Sequence, residues 1–344
     1  MRQNFFKVLQ VAFVYVGTVV GAGFATGREI VEFFTKFGPA GTFGIVIAGI
    51  LFAVLGTKMM VISSRIGAVS FKDFNLFLFG KWAGSFVNVI MLVLLLGVTS
   101  VMLSGGGAIF EERLHLPSQI GLIVTAGLTM IVMMRGVKGL VGVNMLVVPM
   151  LLLLSLVVTV SSFWGNQLSF ILDKQNIISI NWIFSSICYA AYNLALSQAV
   201  LVPLAAEVRD EKILKYGGIL GGIILTFIML GSHFALLMLP DVLAYDIPMA
   251  EVMKTVFSAA YYIYVLVIFG EVFTSVIGNL YGMEKLVLHY MKLPGMVIVC
   301  GILAAAYAIS LFGYGRLISS IYPFLGLITL IFLIFLIFKK TPIN

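Results

Sequence analysis

The sequence predicts an all-α integral membrane protein of about ten transmembrane helices, and three observations predict it. Of the 344 residues, 61% are apolar and only 10% charged, which lies outside the range of soluble domains. Long apolar stretches recur along the chain, among them Val143 to Phe163, Gly295 to Phe312 and Leu317 to Phe338. Each is long enough to cross a hydrocarbon layer of about 30 Å as a helix rising about 1.5 Å per residue. The 21 Lys and Arg residues are scattered singly between these runs rather than clustered. The alternating segments of about ten residues that a membrane β-barrel needs are absent.

Read between charged residues and Pro or Gly punctuation, the spans cover about 8 to 35, 39 to 62, 82 to 110, 118 to 134, 139 to 163, 179 to 206, 213 to 239, 255 to 283, 294 to 312 and 316 to 338. The first stretch, Met1 to Thr26, is read as part of a span and not as a cleaved leader, because no cleavage signature stands out and a second apolar helix follows closely. Threaded through ten crossings, the chain leaves 15 Lys and Arg residues on the side of the N-terminus and 6 on the other. That asymmetry places both termini in the cytoplasm of a cell whose inner, plasma membrane holds the protein. The net charge of +7 is therefore a topology signal, and no nucleic-acid partner is expected. Cys188 and Cys300 both fall inside spans and point to neither a disulfide framework nor a metal site. Two short helices, Phe71 to Phe79 and Met249 to Phe257, read as non-spanning connectors.

Span one and span six are each followed by four more. The chain is thus a single transmembrane domain of two five-span halves, about 5–165 and 178–338, and an odd number of spans per half sets the halves in opposite orientations. Inverted repeats of this kind place a solute site between the halves near the bilayer midplane.

The middle of span one reads Gly17-Thr-Val-Val-Gly21-Ala-Gly23-Phe-Ala-Thr-Gly27-Arg-Glu29. Four glycines in eleven residues cost the helix roughly 1 kcal/mol each relative to alanine. Either the helix breaks here, or the glycines form a face for close helix packing. The length of the span and the closeness of Gly27, Arg28 and Glu29 favour the break. Unwound backbone at membrane depth is a ligand site: carbonyls ending the first half-helix suit a cation, and amides opening the second suit a carboxylate.

Span eight carries Gly270-Glu-Val-Phe-Thr-Ser275. Glu271 lies near the centre of its span, where an ionised carboxylate costs about 2.5–3.5 kcal/mol, so it should face the bundle interior. There it would serve as a proton-coupling group, a direct cation ligand, or a protonated structural donor. Span six offers Tyr189, Tyr192, Asn193, Ser197 and Gln198 around its midpoint, which either contact a solute or tie helices together. Gly105, Gly106 and Gly107 read as a packing face, and His233 as a capped or interfacial histidine. No nucleophile elbow, phosphate loop or paired His/Asp/Glu cluster is present, which argues against an enzyme.

The segment from Gly17 to Phe24 resembles the unwound first helix of the amino acid/polyamine/organocation superfamily, with its LeuT-like five-plus-five fold. Within it, the run Gly21 to Glu29 is similar to the small bacterial YkvI-type membrane proteins. The resemblance implies a cation-coupled symporter of an amino acid or a related small zwitterionic solute. The solute would meet Gly21, Ala22, Gly23, Phe24, Ala25 and Thr26 of span one and Tyr189, Tyr192 and Asn193 of span six. It further implies a sodium site from the carbonyls of Gly17 and Val20 with Thr274 and Ser275, Glu271 standing where the family often has a small residue. The missing glycine in span six puts the family's second break in doubt. No cofactor is expected beyond the coupling ion, sodium before the proton. Arg28 is expected to line the outer vestibule as a gate, paired with an acid. The rival readings are a solute-sensing receptor on the same fold, which binds without transport, and a channel.

Overall fold

Lipid offers a backbone no hydrogen bonds, so a spanning segment must satisfy its own N–H and C=O groups. The computed structural model, which describes residues 2–164, 180–244, 248–256, 261–312, 325 and 328–342, contains no strand among those residues. Its helices are α1 (Arg2–Val19), α2 (Ala22–Ala25), α3 (Arg28–Phe33), α4 (Ala40–Leu51), α5 (Thr57–Ile66), α6 (Phe71–Phe79), α7 (Lys81–Leu114) and α8 (Ser118–Met133). They continue with α9 (Gly136–Trp164), α10 (Asn181–Val208), α11 (Glu211–Leu237), α12 (Pro248–Val256), α13 (Tyr261–Tyr290), α14 (Gly295–Ser310) and α15 (Ile328–Phe338).

Five helical segments are long and apolar enough to cross a membrane: Ala40–Ile66, Lys81–Glu111, Asn181–Val208, Glu211–Leu237 and Tyr261–Tyr290. Shorter apolar helices stand at the other expected positions. The connector α6 has the bounds read from the sequence, and Ser70 and Asp73 form a capping box at its start. The second connector is α12, with Phe257 outside the described residues, as is most of span ten before Ile328. Span six is one uninterrupted helix that accommodates Pro203, so the second break is absent from α10.

Burial sorts the helices. In α10, 89% of the most apolar stretch is buried and in α13 78%, against 50% in α7. Accordingly α7 turns Phe86, Val89 and Val93 outward, α8 Ile123 and Ile131, and α11 Ile223 and Phe227, which is the surface a lipid solvent demands. Glycines 217, 218, 221 and 222 let α11 approach α1 and the α4–α5 segment closely, meeting Val11, Ala12, Tyr15, Ala53 and Thr57. Gly106 and Gly107 likewise pack on Thr125, Ser118 and Leu122 of α8, the packing role expected of them. Between α4 and α5 the chain passes through a π-helical turn, Phe52–Gly56, whose Phe52 carbonyl accepts the Tyr15 hydroxyl of α1 at 2.8 Å. His233 is capped by Thr35 at 3.0 Å, as one reading had it, but it is fully buried rather than interfacial.

Candidate functional site

The first span breaks. Regular α-helix ends at Val19, residues 20 and 21 are not helical, one turn reforms over Ala22–Ala25, and Gly27 turns the chain left-handed at φ 83° before α3. The bond from Val20 N to Val16 O (2.8 Å) closes the first segment, and that from Ala25 N to Gly21 O (2.9 Å) opens the second. The break is buried: Val20 is 0% exposed and Phe24 2%, and Ala25 and Thr26 are buried with them.

Helix α13 runs along this break. Its Tyr264 hydroxyl donates to the Ala25 carbonyl at 2.5 Å, and its Ser275 hydroxyl lies 3.5 Å from the Val20 carbonyl. Residues 264, 271 and 275, spaced by seven and four, share one helical face. Both ends of that face touch the break, so Glu271 between them faces it too. Glu271 is 0% exposed, and neither carboxyl oxygen has a hydrogen-bond partner among the described residues. Thr274 is also buried, its hydroxyl donating to the Glu271 carbonyl at 3.0 Å along the same helix. Gly17, one turn before the break, lies against Asn144 of α9: a Cβ on Gly17 would fall 1.5 Å from Asn144 Oδ1. That oxygen is buried without a hydrogen-bond partner among the described residues, while the Asn144 amide donates to Leu140 O at 2.9 Å.

On the far side of the break, α3 meets α10. The Tyr192 hydroxyl donates to Glu29 Oε2 at 2.5 Å. The Glu29 side chain folds back so closely that a Cβ on Gly23 would fall 2.1 Å from Oε1. Phe33 packs on Tyr189 and Tyr192 with ring centroids 5.2 and 5.7 Å apart. Asn193 donates to the Tyr189 carbonyl at 3.0 Å. The Tyr189 hydroxyl is fully buried and has no hydrogen-bond partner among the described residues. Gln198, two turns along α10, is buried with its whole amide unpartnered among the described residues.

The two ends of this region differ. Toward α12, Met249 N donates to Thr26 O at 3.0 Å, Gly27 packs on Met249, and Arg28 Nη1 donates to the Leu243 carbonyl at 3.0 Å. Toward the N-terminus a cavity of about 510 Å³ lies between α1, α9 and α10, lined by Lys7, Gln10, Lys138, Met145 and Glu207.

The structure thus gathers Val20, Gly21, Ser275 and Glu271 at the break, sets Gly17 on a polar neighbour, and joins Tyr192 to the segment after the break. Three participants escaped sequence reading. Glu29, Phe33 and Asn144 carried no site role in the sequence pattern. A polar side chain inside a span was the available signal for Asn144. No cluster of three or more His, Cys, Asp or Glu residues that would hold a metal occurs among the described residues.

A bundle of apolar helices closed around a broken first helix, with carboxyl and amide groups sealed inside, defines a polytopic membrane protein. The chain belongs to the family of the membrane protein YkvI of Bacillus subtilis (strain 168), with which it shares 52% identity over 342 residues, 99% of each chain. The protein YyaD of the same organism is 25% identical over 321 residues, 92% of this chain and 91% of that one. Among solved structures, the fold is similar to that of a manganese transporter from Eremococcus coleocola, with TM-score 0.65 and 11% identity over 96% of this chain and 76% of the transporter. A mutant of that transporter gives TM-score 0.62 at 12% identity. No protein-family model matches the sequence.

Proposed function

We propose that the chain is a cation-coupled secondary transporter, a symporter of an amino acid or related small zwitterionic solute in the plasma membrane, built on the five-plus-five plan of the amino acid/polyamine/organocation superfamily. The observation that carries this reading is the buried break at residues 20–21 with the unpartnered Glu271 carboxyl facing it. A carboxyl without partners inside a bundle is costly, and it is retained where an ion or proton passes. The solute would sit between α2–α3 and the Tyr189–Asn193 stretch of α10.

The residues suit an alkali cation. Ser275 Oγ, the Val20 carbonyl and the orphaned Asn144 Oδ1 beside Gly17 are hard oxygen groups, with Thr274 and Glu271 adjacent along α13. Glu271 alone would suit a proton. With the termini in the cytoplasm, the 510 Å³ cavity is the inner vestibule, and the bonds of Arg28, Thr26 and Ala25 close the outer entrance. Arg28 is then part of the outer gate.

Thermal unfolding of the purified protein against amino acids and amines, with and without sodium, tests the reading, because a ligand of the native state raises its apparent stability. Stabilisation by a solute that is enhanced by sodium or shifts with pH supports coupling. Solute binding indifferent to both, with no flux in proteoliposomes, describes a receptor and refutes it.

A further inference from the structure

We propose that Glu29 anchors a protonated amine of the solute, so that the ligand class is defined by its ammonium group and a solute carboxylate is dispensable. This rests on the solute site assigned above and names what that site recognises.

The carboxylate stands where the sequence led one to expect a solute carboxylate, beside Gly23 just after the break. Only a glycine leaves room there, since a Cβ would lie 2.1 Å from Oε1 and 2.8 Å from both Cδ and Cγ of Glu29. Glu29 is 7% exposed, and Oε2 accepts the Tyr192 hydroxyl. A second carboxylate brought to this place would meet an acid of like charge in a site from which water is excluded, and the pair would repel.

An ammonium ion meets the opposite situation. The wall beside Glu29 is aromatic: Phe33, Tyr189 and Tyr192 pack within 5.2–5.7 Å of one another, with Phe34 4.9 Å from Tyr189. Aromatic faces attract organic cations, more strongly when desolvated. The Tyr189 hydroxyl in this aromatic group is 0% exposed and without a hydrogen-bond partner among the described residues, an oxygen able to accept an N–H. One carboxylate, hydroxyls and rings are a poor match for a divalent metal, which demands several oxygen or nitrogen ligands. They fit a small primary amine with a short apolar body.

The test is equilibrium binding, read as thermal stabilisation of the full-length protein in lipid nanodiscs. The probes are leucine, 3-methylbutylammonium (leucine without its carboxylate), 4-methylpentanoate (leucine without its ammonium), a series of ammonium ions from methylammonium to 1,5-diaminopentane, and manganese chloride. At least one ammonium probe is expected to bind the wild type, and 4-methylpentanoate is not. Glu29→Gln is expected to weaken that binding at least tenfold. Glu29→Asp keeps the charge with a shorter reach and carries the test if Glu29→Gln does not fold: it is expected to retain a weakened ammonium response.

The assignment is overturned if no ammonium probe binds, if 4-methylpentanoate binds as well as leucine, if manganese alone gives the Glu29-dependent response, or if Glu29→Gln or Glu29→Asp binds ammonium as the wild type does. Binding is read without flux, so a failure of transport leaves this result standing, and a failure here does not bear on transport.

Discussion

Replacing Gly17 by alanine drives a methyl group into the Asn144 side chain. The new Cβ would lie 1.5 Å from Oδ1 and 2.7 Å from Cγ, with Val148 Cγ2 at 3.3 Å closing the other side. Asn144 is 0% exposed, and its amide holds the Leu140 carbonyl. It escapes the clash only by turning and giving up that bond. The lost hydrogen bond is worth about 1 kcal/mol, the overpacking costs about 1–3 kcal/mol, and alanine returns about 1 kcal/mol as the better helix former. The net loss is then about 1–3 kcal/mol, seen as a lowered melting temperature in detergent. Asn144→Ala in the same chain makes room for the methyl, so the double variant is expected to recover most of what Gly17→Ala loses, a coupling that a double-mutant cycle reads directly. Sodium dependence should behave differently: both Asn144→Ala and the double variant lose the oxygen, so restored stability comes without restored ion response. Additive melting temperatures, or a double variant with full sodium dependence, would refute the reasoning.

Gly27→Ala places a side chain at φ 83° and a Cβ 3.1 Å from Met249 Cβ, and is expected to destabilise by about 1–2 kcal/mol and to loosen the α12 closure, read as faster proteolysis between α11 and α13. Glu271→Gln keeps the shape of the side chain and removes its titration. If the proton is the coupling ion, solute binding loses its pH dependence in this variant; if sodium is, the variant keeps a sodium response, and a wild type indifferent to sodium whose variant keeps its pH dependence contradicts both. Tyr264→Phe removes the donor to the Ala25 carbonyl and leaves that buried acceptor unpaired, at a cost of about 1–3 kcal/mol measured by thermal melt.

Apolar run length and punctuation made the helices legible, because in lipid each span must be continuous, apolar and self-bonded. The break was legible for a related reason: Gly17, Gly21, Gly23 and Gly27 are costly in a helix unless something uses the space they leave. What Asn144 does was not legible, since its significance lies in contact with Gly17, 127 positions away, and spacing along one helix carries no trace of it. Glu29 lies within span one as read from the sequence, but the linear pattern gives its carboxyl no partner. Across the left-handed turn at Gly27, its side chain folds back on Gly23 and accepts the Tyr192 hydroxyl. The continuity of α10 followed from a positive sign: Tyr189-Ala-Ala-Tyr-Asn-Leu-Ala-Leu contains good helix formers and no glycine.

The most direct measurement is the accumulation ratio of a solute in proteoliposomes holding the purified protein, with an imposed inward sodium or proton gradient. The account predicts internal solute rising above the external concentration, falling back to it when an ionophore collapses the gradient, and no accumulation with Glu271→Ala. Solute that binds but never enters, or that enters only to equal concentration whatever gradient is imposed, would contradict it.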